Sequence, residues 1–454
     1  MKTSAVFTNL KDPKDAARDL LGKAKSSGTE PELVLFYATL KYNGKYQKML
    51  DVLQAEYGDI PQIGGSVDGM FFPHEMRTDG AALVLCQDSE AKITTDCASE
   101  NTASKSVEVL AEKVSCEKGA VLLHFPLVRV PGKMGAAEFW ARGTYYSYKC
   151  RGKTEIEKKK HAGDFANYCD SAKIFYPPPT VLELFAKKIG CKVPVIGINL
   201  MHTQMQFDSP RVFCNFKDIR NGLAALTIEK EDISVTYDDI YPDKGLSLEE
   251  TKEKVRRAFK VVKEFRANFE ENILISLDGK HVMEAIRDNT GLRAHDETGI
   301  STNLERGDFQ AVTPYVLMFF SEKTQGAIPH GVGSYYPFNL FPMLLSTSCF
   351  SKDVFLFHES SEGLFDRFIS SVHKKDDTKF SIFGFDTCAI SAYGEHAYKY
   401  RDAIRNRLVR NYFGIISTTP SIYLPRKFSC RNYMSECMPD VYCAGGGTNF
   451  CLEI

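Results

Sequence analysis

Two histidines follow two copies of one short motif. Residues 60–69 read IPQIGGSVDG and lead into Phe71-Phe72-Pro73-His74-Glu75-Met76; residues 193–202 read VPVIGINLMH and end on His202, in Met201-His202-Thr203-Gln204-Met205. Each imidazole stands in a loop among Met and Phe, just past a glycine-bearing apolar run. A neutral imidazole nitrogen ligates iron, and Met and Phe are side chains that pack around a porphyrin, so haem suits this arrangement, with His202 as the iron ligand. The plain alternative is a solvated loop histidine with no ligand. Gly64-Gly65-Ser66-Val67-Asp68 begins like a nucleophile elbow, but Asp68 stands where the second glycine is needed, and no serine hydrolase is expected. The chain has no Gly-Lys-Ser/Thr phosphate loop and no G-x-G-x-x-G opening a helix. Gly445-Gly446-Gly447-Thr448-Asn449 either offers backbone N–H groups to an anion or forms a tight turn. Cys430, Cys437, Cys443 and Cys451 lack the close C-x-x-C pairs that zinc takes and read as structural or incidental thiols. No acid, base and nucleophile converge, so an enzyme is not expected.

The elements that position these residues repeat. Residues 31–38 form an apolar run of strand character; residues 46–57 put Met49, Leu50, Leu53 and Tyr57 on one helical face; IPQIGG is a second strand, and residues 80–86 a third. The same strand, helix, strand, loop, strand order returns at residues 119–125, 181–188, 193–197 and 221–228, with Asp79-Gly80 and Asn221-Gly222 each introducing an Ala-rich strand. A fainter third copy starts at residues 380–385, passes through a helix near residues 398–408, reaches Phe413-Gly414-Ile415-Ile416 and ends at residues 449–454. Between copies, residues 144–165 are polar and locally basic, an exposed insertion. Ser247-Leu248-Glu249-Glu250 has capping-box spacing and is expected to open a helix running to about Phe269, with Val255, Phe259, Val262 and Phe265 on one stripe. Residues 272–279 then read as a strand and residues 281–288 as a helix. The expected fold is α/β: two α/β domains, 1–270 and 271–454, built from pseudo-repeated strand-helix-strand-loop-strand units with mixed sheets.

Composition narrows the function classes. The 454 residues are 43% hydrophobic, and 57 basic against 58 acidic residues leave a net charge of -1, which gives no basis for binding nucleic acid or an anionic membrane. No stretch is long and apolar enough for a membrane span, and a cytoplasmic location is the expectation. Thirteen cysteines, several inside apolar runs, suit reduced buried thiols.

The succession IGGSVDG, DGAALVLC, VPVIG, NGLAALTI, LISLDGKHVMEAI and GVGSYYPFNLFP resembles the FIST family, in both its N- and C-terminal domains, from about Pro31 to Ile454. The resemblance implies an intracellular signal-transduction sensor that binds small ligands, amino acids among them, with haem in some bacterial members. The chain departs from the family where Gly64-Gly65-Ser66 replaces a common Gly-Cys-Ser, and where residues 386–391 lack an arginine. A small-molecule ligand, amino-acid-like or haem, is therefore expected in a pocket between repeated units, formed by Gly64, Gly65, Ser66, His74, Gly197 and His202, with Tyr335, Tyr336 and Gly414 from the second domain. Signalling would pass to a protein partner. The alternative is a protein-binding scaffold or adaptor with no small ligand.

Overall fold

Leu33–Ala38 buries all six of its side chains, as only a strand covered on both faces does. The computed structural model describes residues 1–73, 75–126, 133–150, 153–154, 157, 160–161, 164, 168, 178–190, 192–200, 210–237, 246–270, 273–291, 315–322, 327–331, 341–342, 350–358, 379–386, 411–417, 421–423, 429–430, 433–434, 442–443 and 449–454. Within them the strands are gathered into mixed α/β layers, and the repeat expected from the sequence is present with more elements than the motif revealed.

Unit one comprises β1 (Lys2–Thr8), α1 (Pro13–Lys25), β2 (Leu33–Ala38), α2 (Tyr46–Tyr57), β3 (Gln62–Ser66), the hairpin β4 (Gly69–Phe72) and β5 (Glu75–Arg77), and β6 (Ala81–Gln87). The Asp12 side chain accepts the backbone N–H groups of Lys14 and Asp15, and Pro13 sits in the first turn, so α1 starts where the chain can satisfy its free donors. Unit two repeats the plan with β7 (Lys92–Ala98), α3 (Ala103–Lys113), β8 (Ala120–Pro126), then α4 (Lys133–Cys150), α5 (Pro178–Lys188), β9 (Val195–Leu200), the hairpin β10 (Arg211–Cys214) and β11 (Lys217–Arg220), and β12 (Leu223–Glu229). The segment expected as an insertion from residue 144 thus begins inside α4.

Unit three opens with β13 (Ser234–Tyr237) and is then interrupted. The interruption holds α6 (Leu248–Ala258), β14 (Lys260–Glu270), β15 (Ile273–Leu277), β16 (Lys280–His281), α7 (Val282–Thr290), β17 (Tyr315–Ser321), β18 (Ala327–Gly331), β19 (Phe341–Pro342) and β20 (Phe350–His358). The unit resumes with β21 (Ser381–Asp386), β22 (Tyr412–Ser417), β23 (Ser421–Tyr423), the ribbon β24 (Ser429–Cys430) and β25 (Tyr433–Met434), β26 (Tyr442–Cys443) and β27 (Asn449–Glu453). The strands at residues 381–386, 412–417 and 449–453 lie where the faint third copy placed them.

The three units exchange hairpins in a closed cycle. Sheet one runs β1-β6-β2-β3 and continues into β10-β11 from unit two; sheet two runs β7-β12-β8-β9 and continues into β23-β26 from unit three; sheet three runs β13-β27-β21-β22 and continues into β4-β5 from unit one. In each sheet the only parallel pair among the described residues joins the unit's second and third strands. Sheet three draws strands from both sides of residue 270. A fourth, wholly antiparallel sheet, β16-β15-β14-β20-β17-β18, fills the interruption and is covered on one face by α6.

Inner faces of the three exchanged sheets and one face of the fourth share a single apolar core, containing Ile63, Ile196, Phe413, Leu317 and Leu356. Helices lie outside: α1 and α2 pack on sheet one, α3 and α5 on sheet two. The registers superimpose Tyr37, His124 and Gly384 at the centre, opposite Ala82, Ala224 and Phe450. Each pair sets large against small, with the order reversed in unit three, where a Cβ on Gly384 would run into the Phe450 ring. Tyr37 Oη and His124 Nε2 hydrogen-bond at 2.8 Å, both side chains fully buried.

Candidate functional site: the clefts between units

Strand exchange leaves a seam wherever one unit's first strand meets the same unit's hairpin, which has paired into a neighbouring sheet. Among the described residues, two clefts along such seams occupy equivalent places. The larger, about 520 Å³, is lined by Thr3, Ala5 and Phe7 of β1, Thr8 and Asn9 beyond it, Lys23 of α1, Phe72, Pro73, Glu75 and Arg77 of the β4-β5 hairpin, and Phe380, Asn411 and Tyr412 of unit three. The smaller, about 350 Å³, has β7 for one wall and Asn215 and Phe216 of the β10-β11 turn with residues 58–61 for the other.

Alternation along β1 sets the wall of the larger cleft, since residues two apart face the same way. Tyr412 Oη donates to the Phe72 carbonyl oxygen at 3.2 Å, and the Thr3 hydroxyl donates to Asn411 Oδ1, so both units are tied together at the rim. Two cations belong to this cleft. Lys23 Nζ donates to the Phe7 carbonyl oxygen at 2.8 Å and to Asp19 at 2.6 Å, and that ammonium holds the Asp19 carboxyl below the usual carboxylate range. Arg77 pairs with Glu75, stacks over Phe7 at 5.2 Å from the ring centre, and keeps a buried Nε without a hydrogen-bond partner among the described residues. Phe7, Phe72 and Phe380 supply apolar surface beside these charges. The cleft thus combines two cations, each paired with a carboxylate, with neutral donors and acceptors and aromatic walls.

The residues singled out from the sequence fall in three places. Gly64, Gly65 and Ser66 are in β3, Gly197 in β9 and Gly414 in β22, and each of the three strands is the one onto which an exchanged hairpin docks: Gly64 faces Phe213, Gly197 faces Ser421, and Gly414 faces Phe71. The room beside Gly64, Gly65 and Gly414 is filled by the protein itself. A Cβ on Gly64 would collide with the Phe36 carbonyl; on Gly65 it would lie 2.6 Å from Leu200 and 2.8 Å from the Arg211 carbonyl; on Gly414 it would lie 3.0 Å from Phe71. Aromatic rings close over two of these positions, Phe36 against Phe213 at 5.6 Å beside Gly64 and Phe71 against Phe385 at 4.8 Å beside Gly414. Ser66 Oγ accepts the Arg211 backbone N–H at 2.7 Å, which pins the start of the exchanged hairpin to β3. His74, His202, Tyr335 and Tyr336 lie outside the described residues, although Phe72, Pro73 and Glu75 around His74 line the larger cleft. Lys23, Arg77, Asn411 and Tyr412 were not singled out. Arg77 meets Asn411 and Tyr412 because β4 and β5 pair into sheet three, and the one local signal was the Phe72-Pro73-His74-Glu75 loop itself.

The FIST N domain family matches residues 32–280, from the start of β2 to the edge of the fourth sheet. The AF0772-like protein C-terminal domain matches residues 249–362, the interrupting segment from α6 through β20. An uncharacterized protein of Archaeoglobus fulgidus is 24% identical over 306 residues, covering 66% of this chain and 78% of the relative. With more than half of its length inside the FIST N match, the chain belongs to the FIST family.

Proposed function

We propose that the protein is an intracellular sensor that binds a small amino-acid-like carboxylate in the cleft between units one and three and signals through a protein partner. The observation that carries this reading is the position of Arg77: it stands on a hairpin that belongs to unit one by sequence and to sheet three by pairing, so a ligand held by it touches both units at once. FIST domains are associated with signal transduction and small-ligand sensing, which supports a binding role. In this reading the ligand carboxylate takes the free donor capacity of Arg77 and the Lys23 ammonium, the amine or hydroxyl end meets Thr3, Asn9 and Asn411, and the aliphatic part lies against Phe7 and Phe380. Closing a ligand between the units stabilises their relative placement, and the partner reads that change.

The test is a thermal-shift series on the full chain with the common α-amino acids and short dicarboxylates. At least one is expected to raise the melting temperature in a concentration-dependent manner, and the rise should vanish in Arg77→Gln. No shift with any of them at millimolar concentration sinks the reading. The haem version rests on His202; a Soret band that His202→Ala abolishes would replace the amino-acid-like ligand with haem. A second reading, a protein-binding adaptor, is favoured by α4, which exposes Met134, Tyr145 and Tyr148 along its length. Stable partner capture that Tyr145→Ala and Tyr148→Ala together abolish, without any ligand-dependent melting, would favour it.

A further inference from the structure

The second seam carries chemistry that the first does not. Phe7 stands opposite Ala82 in sheet one, and Cys97 stands opposite Ala224 in sheet two. Phe72 follows the residue that faces Gly414, and Cys214 follows the residue that faces Gly64. Cys97 and Cys214 therefore occupy the places of Phe7 and Phe72. In the first seam those two rings meet edge to face at 5.9 Å; in the second, the equivalent registers bring the two thiols together. Thr95 Oγ1 donates to Asn215 Oδ1 at 2.5 Å and Asn215 Nδ2 donates to the Thr95 carbonyl oxygen at 3.3 Å, which holds the edge strand β7 against the exchanged hairpin next to the thiols. Cys214 is fully buried and Cys97 half-buried, on a strand whose Ile93, Thr94 and Thr95 line the smaller cleft. Lys113 Nζ sits on the Cys97 carbonyl oxygen at 2.8 Å. The neighbouring Cys214 thiol draws the Cys97 thiol down to about 7, aided by Lys113 and Lys217 and opposed by burial and Asp96, while the same neighbour and burial push Cys214 up. One thiol is thus a ready nucleophile and its neighbour a protonated reserve.

We infer that Cys97 and Cys214 form a peroxide-reactive dithiol whose disulfide fastens the exchanged hairpin of unit two to the edge of sheet two, beside the second cleft. The Cys97 thiolate attacks one oxygen of hydrogen peroxide; an S–O bond forms, the O–O bond breaks, and the departing hydroxide takes a proton to become water. The Cys214 sulfur then attacks the Cys97 sulfenic sulfur; the S–S bond forms, the S–O bond breaks, and hydroxide leaves with the Cys214 proton as a second water. Two thiols lose two electrons and one peroxide gains them.

The test treats the full chain with hydrogen peroxide, blocks remaining thiols with iodoacetamide, and maps peptides without reduction. The expected result is one linked peptide pair joining Cys97 to Cys214, with loss of alkylation at both, restored by dithiothreitol. Cys214→Ser should instead leave Cys97 as a sulfenic acid that dimedone captures. The inference is overturned if Cys97 proceeds to sulfinic acid while Cys214 stays a thiol, or if both thiols keep full alkylation after peroxide. The wild-type map decides the matter even where the variant fails to fold.

Discussion

Gly64 and Gly22 carry the same side chain and opposite consequences. Gly64 lies between Phe36 and Phe213 with the Phe36 carbonyl where a Cβ would go, whereas Gly22 is exposed in the middle of α1 with nothing within 4 Å. Gly64→Ala should cost about 3 kcal/mol or more, because β2 or β3 must shift. Gly22→Ala should add about 0.5–1 kcal/mol by removing helix-interior backbone freedom. Urea unfolding of the two variants measures both. His124 supplies a pH signature at the same scale. Burial lowers its pKa from 6.5 to about 3, so between those values the unfolded chain binds a proton that the folded chain refuses. Stability is then undiminished by His124 above pH 6.5, falls as the pH drops toward 3 with a slope of up to about 1.4 kcal/mol per unit, and levels below that. Unfolding of wild type and His124→Phe at several pH values checks this: the variant loses the Tyr37 hydrogen bond but should show a shallower acid slope. Equal slopes would refute the assignment.

At the scale of elements, local signals succeeded where one face of one segment decided the outcome. The Ser247 capping box is present, with Ser247 Oγ accepting the Glu250 N–H at 3.3 Å and the Glu250 carboxylate accepting the Ser247 N–H at 2.7 Å. Ser247→Ala should therefore cost about 1 kcal/mol, with the first turn of α6 fraying in hydrogen exchange. The helix does not continue to Phe269, however. It ends at Ala258, and Lys260–Glu270 is a strand between β20 and β15. The stripe Val255, Phe259, Val262, Phe265 spans both elements: Val255 and Phe259 pack under α6, while Phe265 and Ala267 alternate into the main core. A register shift between Val261 and Lys263 breaks the period of two and lets four residues imitate a helical spacing. The edge strands β1 and β7 were missed for a related reason: both are partly exposed along most of their length, so neither shows the buried run that marked β2, β6 and β8.

For the whole molecule, cyclic hairpin exchange means that damage does not stay in the unit where it is made. Phe71 is fully buried, belongs to unit one, and packs against Phe385 and Gly414 of sheet three. Phe71→Ala should cost about 3–5 kcal/mol, and hydrogen exchange should accelerate in β21 and β22, more than three hundred residues downstream, before it does in β2. Protection lost only within unit one would contradict the exchanged topology. The sequence by itself determined the α/β character, the repeated apolar strands, the glycine that recurs in each third strand and the FIST resemblance, because these depend on the period and composition of short segments. Tertiary structure decided what the glycines serve. Which strand pairs with which is a long-range choice that no local period encodes, and it was strand pairing that set Gly64, Gly197 and Gly414 opposite incoming hairpins. The same pairing brought Arg77 to Asn411 and Cys97 to Cys214 from segments far apart in the chain.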